Sequence, residues 1–122
     1  MPADEGLKRF ISTSFRSVWS LELLLFLKRR PGAYGREELI AALCGSELIV
    51  QQALDWLVAV GLVILDEQGR AIYHPATPEL ASLVQRTEEL YGRKPDAVRR
   101  LIVAGAAPGL TAFADAFRFR KD

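Results

Sequence analysis

The sequence predicts a mainly α chain with one small β-hairpin and a helical C-terminal part. Three observations carry this: apolar residues recurring at helical spacing over most of the length, a single pair of short apolar runs around a polar Gly-containing turn, and one 27-residue stretch that reads as two helices joined tightly. That stretch, Glu37 to Val63, organises the rest. Its first helix carries Leu39, Ile40 and Leu43 and is expected to stop at Gly45 in the left-handed conformation, which a residue without Cβ adopts at no steric cost. Ser46 then caps a second helix whose buried face is Val50, Ala53, Leu54, Leu57 and Val60, ending at Gly61.

The tight turn and the run Leu57, Gly61, Leu62, Val63, an LxxxGLV close, resemble the winged helix-turn-helix proteins among bacterial transcription regulators. The resemblance implies a first helix packed across the pair, a hairpin wing, and duplex DNA bound by a homodimer. These positions are structural, so they bear on fold more than on DNA binding.

The remaining elements follow in order. Residues 1–14 read as a lead-in helix or an arm, with Leu7, Phe10 and Ile11 apolar. Phe15 to Arg30 is the most apolar stretch, with eight apolar residues among the ten from Val18 to Leu27. A membrane-spanning helix needs about 20 such residues, so no membrane is expected. Lys28, Arg29, Arg30 and Pro31 stand where a signal peptide would need small residues for cleavage. A helix apolar nearly all round has to be covered on more than one side, in part by a second subunit if the chain is a dimer. Leu62 to Leu65 and Ala71 to His74 form the hairpin around Asp66 to Arg70. Thr77 or Pro78 opens a helix to about Tyr91, Asp96 caps another through Ala104, Gly105 to Gly109 breaks it, and Thr111 to Phe119 closes the chain before Arg120 and Lys121. With 122 residues, one domain is expected, residues 15–75 as the winged-helix core and 77–122 as a helical extension.

Composition narrows the chemistry. One cysteine, Cys44, excludes an internal disulfide and suits a reducing cytoplasm; it reads as a small buried residue. His74 has no second ligand at metal spacing, and no phosphate loop or nucleophile with a base is present, so neither a cofactor nor catalysis is expected. The net charge of +1 conceals a division. Residues 1–30 carry six basic against three acidic side chains, residues 31–85 two against seven, and residues 86–122 eight against five, so the middle segment stands at −5 between flanks at +3.

By the layout of the family, Glu47, Leu48, Ile49, Gln51, Gln52, Asp55 and Trp56 would face a major groove, and none is basic. Two readings result. In the first, a transcriptional regulator grips phosphates with Lys28, Arg29, Arg30, Arg36 and Arg70 and reads adenine edges with Gln51 and Gln52. In the second, the fold serves as a protein-protein interaction module that has lost DNA binding and docks through Leu48, Ile49, Asp55 and Trp56, unless the residues from 78 to 119 cover them.

Overall fold

The computed structural model describes residues 2–106, with side chains from Glu5 to Gly105. The expected final segment, Thr111 to Lys121, and most of the expected glycine break lie outside the described residues. Among the described residues the order is α1 (Pro2–Ser14), α2 (Val18–Arg29), α3 (Arg36–Leu43), α4 (Glu47–Ala59), β1 (Val63–Leu65), β2 (Ala71–Tyr73), α5 (Pro78–Arg93) and α6 (Pro95–Ala106).

Pro2–Ser14 proves to be a full helix rather than an arm. Leu7, Phe10 and Ile11 recur at i, i+3, i+4 and bury one face of α1, with Phe10 set edge-on to Phe15 at 5.8 Å between ring centres. Ser17 then starts α2 later than the apolar run suggested. Its hydroxyl accepts from the Ser20 amide at 3.2 Å while Ser20 Oγ accepts from the Ser17 amide, a reciprocal cap that leaves Phe15 and Arg16 outside the helix. No single helix among the described residues is long and apolar enough to cross a membrane, and α1 and α2 are bent by 102° where they meet.

The leucines of α2 at 21, 23, 24, 25 and 27 are all buried inside this one chain, under α4, α3, β2 and α6. These five leucines are therefore covered without a second subunit, while Val18, Trp19 and Phe26 stay partly exposed. The one acidic residue on the helix, Glu22, accepts a hydrogen bond from the Tyr91 hydroxyl of α5. Burial pushes the Tyr91 phenol up, the Glu22 carboxylate adds to that, and Arg99 opposes it.

The helix pair forms as expected, with two corrections at its turn. The residue in the left-handed conformation is Cys44 (φ 53°, ψ 35°), and it is exposed rather than buried. Gly45 has an ordinary φ and is small for a different reason: a Cβ there would stand 3.3 Å from Val50 and 3.4 Å from the Trp19 ring. Glycine at 45 thus lets α2 and α4 close on the turn. Ser46 caps α4 as expected, accepting from the Ile49 amide at 3.1 Å, and Val50, Ala53, Leu54 and Leu57 are buried.

Gly61, at φ 84°, turns the chain out of α4, and Leu62 N–H reaches back to the Leu57 carbonyl. The hairpin pairs Val63 with Tyr73, Ile64 with Ile72 and Leu65 with Ala71. Tyr34, in the α2–α3 connection, adds an antiparallel bridge to Ala71, so the connection is tied to the hairpin. At the tip, Asp66 Oδ1 accepts from the amides of Gln68 and Arg70 and Gly69 takes φ 77°.

Helix α5 begins at Pro78 behind a Thr77 cap. Helix α6 begins at Pro95, not behind an Asp96 cap, and runs through Gly105 to Ala106 where a break was expected. The reason lies in its partner. Helix α6 crosses α1 so closely that a Cβ on Gly105 would collide with the backbone carbonyl of Ser12. Gly105 therefore permits the crossing and does not end the helix.

Gly105→Ala is expected to destabilise the fold by about 1–3 kcal/mol through overpacking, whereas Gly6→Ala, in open space on α1, should stabilise by up to about 1 kcal/mol through helix propensity. Paired thermal melts read both; equal melting temperatures for the two variants would disprove the close crossing.

Candidate interaction surface on the fourth helix

The basic residues expected to meet phosphates fall into separate places, each with a partner inside the chain. Lys28 Nζ lies 2.7 Å from Glu88 Oε1 and Arg29 Nε 2.7 Å from Glu88 Oε2, so these two cations bind α2 to α5. Lys28 also donates to Gln85 at 2.9 Å. Arg30 lies over the Phe26 ring at 5.4 Å. Arg36, at the start of α3, donates to Gln51 Oε1 at 2.9 Å and stands 3.6 Å from Glu47. Arg70 pairs with Asp66 at 2.8 Å across the hairpin tip.

Two of the three carboxylates that answer these cations are shifted by them. Burial of Glu88 favours its neutral form, but the hydrogen bonds and charges of Lys28 and Arg29 outweigh it and hold the carboxyl below the usual glutamate range. Asp66 is likewise held below the usual range, first by the Arg70 amide; desolvation opposes this, and the Arg70 guanidinium and the Gln68 amide together with that amide outweigh it. The hairpin tip is thus internally neutral at Asp66 and Arg70, with Glu67 exposed beside it.

The side chains of α4 form a second, continuous arrangement. Gln51 bridges Arg36 and Asp55, accepting from the former and donating to Asp55 Oδ1 at 2.7 Å. Gln52 is exposed. Leu48 is 65% exposed and Ile49 36%. Residues 78–106, the described part of the expected cover, leave both uncovered. Trp56 is half-buried, and its cover comes from the other end of the chain: its indole N–H donates to the Ser14 carbonyl at 2.7 Å and the Arg16 guanidinium lies 4.0 Å above its ring.

Arg16 and Trp56 end a surface groove of about 640 Å³ between the start of α2 and α4, with Ser17 and Trp19 on one wall and Ile49, Gln52 and Asp55 on the other. Arg16, Ser17 and Trp19 were not among the sequence candidates. The Ser17 and Ser20 spacing was the available signal, because a cap at 17 puts Arg16 in a connection rather than on a helix face. Among the described residues no group of His, Cys, Asp and Glu is placed to hold a metal ion, and the exposed His74 stands apart from the groove.

The Glu88 clamp has a pH signature. A carboxyl with a depressed folded-state pKa contributes stability that is present above the ordinary glutamate value of 4.5 and lost as pH falls through the lower folded value. Glu88→Gln should therefore lower the melting temperature at pH 7, and the gap to the unsubstituted chain should close on acidification below about pH 4.5. A gap that stays constant down to pH 3 would show that Glu88 is not held by Lys28 and Arg29. At the groove, Arg16→Ala should shift tryptophan emission to the red while costing no more than about 1 kcal/mol of stability, since it removes an exposed stack from Trp56; unchanged emission would refute that stack.

Comparison with protein-family models, with characterised proteins and with solved structures found no match, so the function rests on the residues described above.

Proposed function

We propose that this chain is a winged-helix protein-interaction module that docks on a partner protein through α4, and that it has no general grip on DNA. The observation that carries this is the character of the exposed α4 surface. Leu48 and Ile49 stand uncovered on a helix whose other charged side chains are Glu47 and Asp55. Apolar side chains in that position gain by being covered, and the flanking carboxylates repel phosphates. Support for the winged-helix part comes from the order of elements: α2, then α3 and α4 joined by a tight turn, then an antiparallel hairpin bridged to Tyr34.

Ion pairing adds less than the carboxylates do. Exposed pairs such as Arg36 with Glu47 are worth only about 0–1 kcal/mol, so a phosphate would displace the carboxylate at small cost. A second reading, duplex DNA bound by a homodimeric regulator, is favoured by Gln52, which is exposed on α4 and has a side chain suited to an adenine edge.

Fluorescence anisotropy with a labelled mixed-sequence duplex separates the two. No saturable binding is expected at micromolar protein and about 50 mM salt, where phosphate grips are strong. Micromolar or tighter binding that falls steeply with salt, and that Arg36→Ala with Arg70→Ala weakens on every sequence, would replace the first reading with the second.

A further inference from the structure

Resting on the protein-docking reading, we infer that α4 receives an amphipathic helix of the partner, with an apolar stripe that enters the groove between the two indoles and basic residues along one edge that meet Glu47 and Asp55. Helical spacing sets this pattern. Glu47, Gln51 and Asp55 stand at i, i+4 and i+8 and form one ridge of α4, whose Asp55 end also lines the groove; Ile49, Gln52 and Trp56 stand at i, i+3 and i+7 and form the next, which lines the groove along its length. Leu48 lies between the two ridges. The exposed surface of α4 is thus an acidic edge, an apolar side chain and an apolar groove, side by side.

The charges choose the partner's sign. Glu47 and Asp55 are both exposed, and residues 31–85 carry a net −5. Each carboxylate retains acceptor capacity: Arg36 stands 3.6 Å from Glu47, and Gln51 donates to one oxygen of Asp55. The two ridge ends are eight residues apart, about 12 Å along the axis at 1.5 Å per residue. A partner helix with basic side chains about seven or eight residues apart spans the same distance, and a helix laid in a groove presents its apolar stripe beside that edge. Arg16 settles which edge is basic. It stands on the α2 side of the groove, over Trp56, and repels a cation there, so the partner's basic edge has to lie on the Glu47 and Asp55 side.

The probe is a synthetic amphipathic helix about five turns long, with a leucine stripe and two arginines seven residues apart on one edge, compared with the same peptide carrying glutamates there. Both tryptophans of the chain line the groove, so emission of the whole protein reports occupancy directly. A saturable emission change with the arginine peptide is expected, about tenfold weaker with the glutamate peptide and about tenfold weaker again for Asp55→Lys, by loss of charge complementarity. Leu48→Asp, at an exposed position, should abolish binding while leaving circular dichroism and melting unchanged.

Equal binding of both peptides, indifference to Asp55→Lys, or no response to either helix would overturn the inference. An emission change on concentrating the protein alone, with a doubled solution mass, would assign the groove to a second copy and also overturn it. Salt-dependent duplex binding would overturn the underlying reading instead, so the two failures are separate.

Discussion

Helix α2 in water would expose leucine around more than half of its circumference, and no orientation on a surface could hide them all. Five leucines at full burial are worth about 1.5–3 kcal/mol each, an upper estimate because unfolded chains are already partly collapsed. Such a helix has to lie at the centre, and the other elements are the means of covering it. Helices α3 and α4 and strand β2 enclose it, and α6 completes the cover while also packing on α1. The glycines that matter most follow from this demand. Gly45 lets the α3–α4 turn approach Trp19, and Gly105 lets α6 reach α1.

Central burial also explains where the polar groups of α2 go. Glu22 and the Lys28–Arg29 end emerge on the side that meets α5, where Tyr91 and Glu88 answer them. Partly buried charges need such partners, because removing one leaves the other desolvated and unpaired. Lys28 and Arg29 of the basic run that ends α2 are thus paired with Glu88 of α5, while Arg29 and Arg30 remain exposed. Pairing at Arg36 and Arg70 is more exposed and more easily exchanged.

The proposed docking surface is the part of α4 that this packing leaves free. One face of α4 is committed to α2 through Val50, Ala53, Leu54 and Leu57. The opposite face keeps Leu48 and Ile49 in water beside two carboxylates, and the N-terminal connection closes one end of it with Arg16 on Trp56. A short segment far from α4 in sequence thereby converts a helix face into a groove with two unlike walls. Such a groove distinguishes partners by which edge carries charge as well as by apolar fit.

Much of the helical order was legible in the sequence, because helical spacing, the Ser46 and Thr77 caps and the glycine at 61 act locally through backbone sterics and nearby hydrogen bonds. The hairpin was legible for the same reason, whereas the sequence left open whether residues 78 to 119 cover Leu48 and Ile49. What depended on distant contacts was not. Cys44 takes the left-handed turn, and Gly45 beside it stands close to Val50 and Trp19, an approach invisible along the chain. The glycine at 105 looked like a helix stop and instead sits where α1 crosses α6. Composition by itself determined an apolar central helix, a chain without a disulfide, and an acidic middle segment. Only the tertiary structure decided that the leucines of α2 are covered within one chain, that Lys28 and Arg29 serve α5, and that Trp56 meets Ser14 and Arg16, because each of these joins residues 40 or more positions apart or elements whose spacing carries no local signal.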